Sequence, residues 1–83
     1  MIKREITISY VSDGEVSIAA LVVQRAGKFC SSIYLEQGTK RVNAKSIMGV
    51  MTMPIEKGQV FTISAEGTDE EAAVDDLEAF LAK

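Results

Sequence analysis

Residues Ile2 to Tyr10 alternate, with Ile6, Ile8 and Tyr10 on one side of an extended chain and Glu5, Thr7 and Ser9 on the other. A strand with this pattern has one dry face and one wet face. Gln59 to Ala65 alternates in the same way, with Phe61, Ile63 and Ala65 as its inward set. One-sided strands are satisfied in an antiparallel sheet covered by helices on one face and open on the other. The rest of the chain therefore has to supply the covering layer.

It supplies three amphipathic segments. Ala19, Val22, Val23 and Ala26 recur at helical spacing and predict a helix from roughly Val16 to Lys28. Its start has two candidates, a capping box of Ser12 with Glu15 or a cap at Ser17, and Gly27 lies where a helix tends to end. Ser32 to Glu36 and Lys40 to Asn43 are short strands joined through Gln37, Gly38 and Thr39, a hairpin composition. Ala44 to Thr52 reads as a short helix with Ser46 able to cap its first turn and Pro54 as a stop. After Gly67, Thr68-Asp69-Glu70-Glu71 reads as a capping box opening a last helix. Its apolar stripe is Ala73, Val74, Leu77, Phe80 and Leu81, and Asp75, Asp76 and Glu78 lie on a solvated face. The order is β-α-β-β-α-β-α.

Eighty-three residues suffice for one hydrophobic core, hence a single domain over residues 1–83. A net charge of -3 with scattered Lys and Arg argues against direct nucleic-acid binding. The longest apolar run, Ile18 to Val23, cannot span a bilayer, and the first residues lack the pattern of a signal peptide, so a cytoplasmic protein without a membrane partner is expected. With no histidine and one cysteine, Cys30, the chain lacks the usual zinc ligands and any imidazole for acid/base work. No metal or other cofactor is expected. Nothing basic crowds Cys30 in sequence, so it reads as an incidental thiol.

The segment Val42-Asn43-Ala44-Lys45-Ser46-Ile47-Met48-Gly49-Val50-Met51, in a chain of this length and element order, resembles the regulatory serine segment of the HPr family. These are the phosphocarrier proteins of the sugar phosphotransferase system. Val23-Gln24, Ala26, Lys28-Phe29 and Ala65-Glu66-Gly67 extend the likeness over essentially the whole chain. The resemblance implies an α+β fold, the HPr-like open-faced β-sandwich, in which three helices cover a four-stranded antiparallel sheet.

The likeness breaks at the family's catalytic loop. Members carry Gly, an apolar residue, His, Ala, Arg, Pro, Ala where this chain reads Gly14-Glu15-Val16-Ser17-Ile18-Ala19-Ala20, and the loop as a whole, between Gly14 and Phe29, is one residue short. Counted back from Phe29, Glu15 takes the histidine position, Ser17 the arginine and Ile18 the proline. Counted from Gly14, Val16 takes the histidine position. Phosphoryl transfer needs a ring nitrogen as nucleophile and a cation to steady the charge, and both are missing. No catalytic residue is expected, and the chain is read as a non-enzyme. Glu15 itself reads as a solvated helix-start carboxylate, or as a fixed charge resembling a phosphorylated histidine.

In kind, the pattern is closest to the histidine-lacking, catabolite-repression HPr-like proteins. That likeness implies phosphorylation of Ser46 by an ATP-dependent HPr kinase/phosphorylase. It further implies a docking surface of Lys45, Ile47, Met48, Val50 and Met51, and an effector such as catabolite control protein A or another protein. Helix physics alone gives Ser46 a plainer role as an N-cap. The crowding of Ile47, Met48, Val50, Met51 and Met53 exceeds one narrow stripe, so some of them should be exposed. The rival to a phosphorylation switch is a phosphorylation-independent binding domain that keeps only the fold.

Overall fold

The computed structural model describes residues 1–10 and 18–82. Strand β1 (Ile2–Thr7) leads to helix α1 (Ile18–Ala26), the hairpin of β2 (Ser32–Gln37) and β3 (Lys40–Asn43), helix α2 (Ile47–Met51), strand β4 (Val60–Glu66) and helix α3 (Glu70–Leu81). The element order is the expected one. The sheet runs β1-β4-β2-β3, antiparallel throughout, with β4 paired on both sides. Ile6 stands opposite Phe61, and Leu35 stands opposite Ile63 on one side and Val42 on the other.

These alternate residues form the covered face. Ile6, Ile33, Leu35, Phe61, Ile63 and Ala65 are buried against Ala19, Val22 and Ala26 of α1, Val50 of α2, and Ala73, Val74, Leu77 and Leu81 of α3. Each large apolar side chain taken from water contributes about 1.5–3 kcal/mol, so this single layer is the main source of stability. The opposite face stays polar. There Glu36 lies 4.0 Å from Lys3 Nζ and 3.6 Å from Arg41 Nε, and the Arg41 guanidinium sits 3.9 Å above the Tyr34 ring.

Several boundaries differ from the sequence reading. β1 stops at Thr7 rather than Tyr10 because Ser9 and Tyr10 turn their N–H groups onto the Leu81 carbonyl at the end of α3 (2.8 and 3.0 Å). Ile8 is nevertheless buried. α1 ends at Ala26: Gly27 N–H still makes a helical bond to the Val23 carbonyl (2.9 Å), but Lys28 and Phe29 donate only three residues back, to Arg25 and Ala26 (3.2 Å each). Its expected start at Val16, and the alternative caps at Ser12 and Ser17, lie outside the described residues. β4 is shifted by one residue, Val60–Glu66 in place of Gln59–Ala65.

The start of α3 is the largest correction. Asp69, not Thr68, occupies the N-cap, and its side chain does not cap. Instead its carboxylate accepts from the N–H groups of Cys30 (2.8 Å) and Ser31 (2.9 Å) and from the Ser31 hydroxyl, tying α3 to the entry of β2. Glu70, the first residue of the helix, accepts from Gly67 N–H at 3.1 Å, which is not the N-cap N–H that a capping box would engage. Gly67 is required here: its φ is +155°, and a Cβ would lie 2.7 Å from Ser31 Cα. Nor is the acidic face of α3 merely solvated, since Arg4 reaches Asp75 (2.6 Å) and Glu78 (2.9 Å) while Arg25 reaches Asp76 (3.1 Å).

The bonds from the Ser31 hydroxyl, and then from the Cys30 N–H, hold the Asp69 carboxyl below the usual aspartate range. A depressed folded-state pKa means that the stabilisation is present above the unfolded value of about 3.9 and is lost as pH falls through the folded one. Asp69→Asn should therefore melt at a lower temperature than the parent protein at pH 7. Thermal melts from pH 7 to pH 2 should show the gap narrowing once pH falls below about 4, and closing as pH falls through the depressed folded-state value at which the parent's carboxylate protonates. A gap independent of pH would mean that the charge of Asp69 is immaterial.

Candidate functional site: helix α2 and the groove beside it

The site starts at Asn43, the last residue of β3. Its side-chain Oδ1 accepts from Lys45 N–H (2.8 Å), and its carbonyl accepts from Ser46 N–H (3.0 Å), so the chain turns before the helix begins. This turn makes α2 shorter than the expected Ala44 to Thr52. Ala44 points inward, fully buried, with its N–H on the Ile33 carbonyl at 2.8 Å.

Ser46 is the N-cap, with extended backbone and its Oγ accepting from Gly49 N–H at 3.2 Å. The far end is closed by Thr52, whose N–H and hydroxyl both donate to the Gly49 carbonyl (3.1 and 2.6 Å). Lys40, from the hairpin, donates its ammonium to the Thr52 carbonyl. Sequence reasoning passed over Lys40. A cation is favourable at a helix C-terminus, but nothing in the spacing of residues 40 and 52 shows that the hairpin folds back there.

Lys45 is exposed, and its ammonium donates to the Phe29 carbonyl at 2.7 Å, linking the loop after α1 to the start of α2. It is a structural tie as well as a surface cation. Of the apolar side chains, Met48 is 78% exposed, Met51 67% and Ile47 40%. Val50 is 1% exposed and Met53 2%. Val50, assigned to the docking surface by sequence, therefore belongs to the core: it is the residue that holds α2 down. The crowded run divides into two anchors and an open face.

Beside Met51 a groove of about 220 Å³ runs between α2 and the first turn of α1, floored by Val50 and Met53 and walled by Ile18, Ala19, Pro54 and Ile55. Pro54 was legible only as a helix stop, and Ile55 carried no signal as a lining residue. Glu15, Val16 and Ser17 lie outside the described residues.

With this geometry the comparisons with known proteins agree over the full chain. Residues 2–83 match the family described as "PTS HPr component phosphorylation site". The chain is 40% identical over 83 residues to the HPr-like protein Crh of Halalkalibacterium halodurans, covering all of this chain and 99% of the relative. It is 37% identical over 81 residues to the HPr-like protein Crh of Bacillus subtilis (strain 168), covering 98% of this chain and 95% of the relative. Among solved structures it is similar to the phosphocarrier protein HPr of Bacillus anthracis, with a TM-score of 0.88 and 39% identity over 96% of this chain and 95% of that one. The chain belongs to the HPr family. Its kin are phosphocarrier and regulatory proteins, not enzymes. Among the described residues no helix is long and apolar enough to cross a membrane.

The division of α2 into anchors and open face predicts a contrast between neighbouring substitutions. Val50→Ala should lower stability by about 1–3 kcal/mol, through lost burial and the space left behind. Met48→Ala should change it by less than about 0.5 kcal/mol. Urea unfolding of the two variants measures both, and equal losses would contradict the assignment of Val50 as anchor and Met48 as surface.

Proposed function

We propose that this chain is a regulatory protein of carbon catabolite repression, switched by phosphorylation of Ser46 by HPr kinase/phosphorylase in the cytoplasm. The observation that carries this reading is the placement of Ser46 beside an open apolar face, Ile47, Met48 and Met51, that core packing leaves unused. The likeness to proteins named HPr-like protein Crh supports the regulatory role. The lack of any histidine removes the phosphocarrier route.

Phosphorylation replaces the Ser46 hydroxyl by a dianion with several acceptor oxygens. The Gly49 N–H that now donates to Oγ can donate to a phosphate oxygen instead, so the helix start keeps a partner. The result is a charge next to an apolar surface, a mixed epitope absent from the unmodified protein. A protein effector, catabolite control protein A or another, reads that epitope through Ile47, Met48, Met51 and the exposed Lys45. Val50 takes part only by fixing α2. Ser17 stands where the family's loop arginine would be under one alignment, which bears on the choice of effector but not on recognition by the kinase.

Two incubations test the reading. Enzyme I with phosphoenolpyruvate should leave the protein at its unmodified mass, because no histidine can accept the phosphoryl group. HPr kinase/phosphorylase with ATP should add one phosphate, mapped to Ser46 and absent from Ser46→Ala, with a homologous HPr as positive control in both. If the kinase labels the control and not this chain, the phosphorylation-independent binding domain becomes the better account.

A further inference from the structure

Four methionines sit in sharply different surroundings. Met48 and Met51 lie three residues apart on α2 with 78% and 67% of their surface exposed, Met1 is 60% exposed, and Met53 is 2% exposed in the core. A thioether reacts with peroxides according to how freely the oxidant reaches sulfur. α2 itself is held by Val50, Met53 and the end cap at Thr52, none of which involves the exposed thioethers.

We propose that Met48 and Met51 form a paired methionine-oxidation site. It takes a peroxide as oxidant and turns the outer face of α2 from apolar to polar while the fold stays intact. In each step a lone pair on Sδ attacks one peroxide oxygen, an S–O bond forms and the O–O bond breaks. The other oxygen leaves, with a proton, as water or an alcohol. Sulfur is oxidised to the sulfoxide and the peroxide is reduced. Sulfoxides of this kind are returned to thioethers by methionine sulfoxide reductases, so the modification is reversible.

The regulatory consequence rests on the reading of α2 as a docking face. A sulfoxide oxygen buried against an apolar partner without a hydrogen bond is costly, enough for about a tenfold loss of binding per group. Such a device weakens docking without touching Ser46. The two modifications are thus chemically distinct inputs to one surface.

The test uses the full chain with Cys30 alkylated first, so that thiol oxidation is kept out. During a hydrogen peroxide time course, peptide mass spectrometry should show Met48 and Met51 oxidising at rates within a few-fold of Met1, the exposed internal standard. Met53 should lag by roughly tenfold or more. The melting temperature of the doubly oxidised protein should match that of the untreated one. Equal oxidation of Met53, slow reaction of Met48 and Met51, or a collapsed melt overturns the proposal. A second arm follows Ser46 labelling by HPr kinase/phosphorylase. Oxidised parent, carrying both sulfoxides, should be labelled about a hundredfold more slowly than untreated parent, while peroxide treatment should leave the Met48→Leu/Met51→Leu variant at its own untreated rate, whatever that rate is. An unchanged rate in the oxidised parent overturns the regulatory consequence. A kinase that labels neither untreated nor oxidised protein ends the Ser46 reading, and the mapping and melts still decide the oxidation site.

Discussion

Everything in this fold is arranged around the double pairing of β4. It is late in the chain, yet it is the strand that joins β1 to the β2–β3 hairpin, so no continuous sheet exists until residues 60–66 arrive. Its inward residues Phe61, Ile63 and Ala65 lie at the centre of the core, opposite Ile6 and Ile2 on one side and Leu35 and Ile33 on the other. A one-residue slip would turn these apolar side chains to solvent, which fixes the register more firmly than any single hydrogen bond. The long-range character of this pairing also explains the ties at its ends. Asp69 fastens the exit of β4 to the entry of β2, and the Leu81 carbonyl fastens the end of α3 to the chain leaving β1.

Most of this was legible because it depends on period. Alternation in Ile2–Tyr10 and Gln59–Ala65 and the helical spacing of Ala19, Val22 and Ala26 report which side is dry, and the observed burial follows them. What escaped depends on contacts between residues far apart. Thr68 and Asp69 are both good cap residues by type, and only the arrival of Ser31 beside Gly67 draws the Asp69 carboxylate away from its own helix. Asp75, Asp76 and Glu78 look like a solvated face until Arg4, 71 residues from Asp75, is brought across from β1. The site shows the same limit. Local pattern gives Ser46 as a cap and requires some of Ile47, Met48, Val50, Met51 and Met53 to be exposed, but only packing against the core decides that Val50 and Met53 are the buried ones.

That packing gives the site its character. A five-residue helix cannot stand alone, since nucleation is costly and few intrahelical bonds repay it. α2 persists because each end is closed by side chains and because Ala44, Val50 and Met53 pin it to the core. Surface residues between such pins contribute little to folding and are free to be chosen for recognition. Exposed thioethers suit that use, since their flexible side chains adapt to the shape of a partner.

The groove extends this argument beyond α2. Two of its lining residues, Ile18 and Ala19, directly follow the segment that in the family carries the histidine, and the others come from α2 and the chain after it. A partner broad enough to cover Ile47, Met48 and Met51 and to enter the groove therefore meets both regions at once. This chain has no histidine, yet the apolar lining of the groove is present. An apolar surface without a nucleophile suits binding and not group transfer.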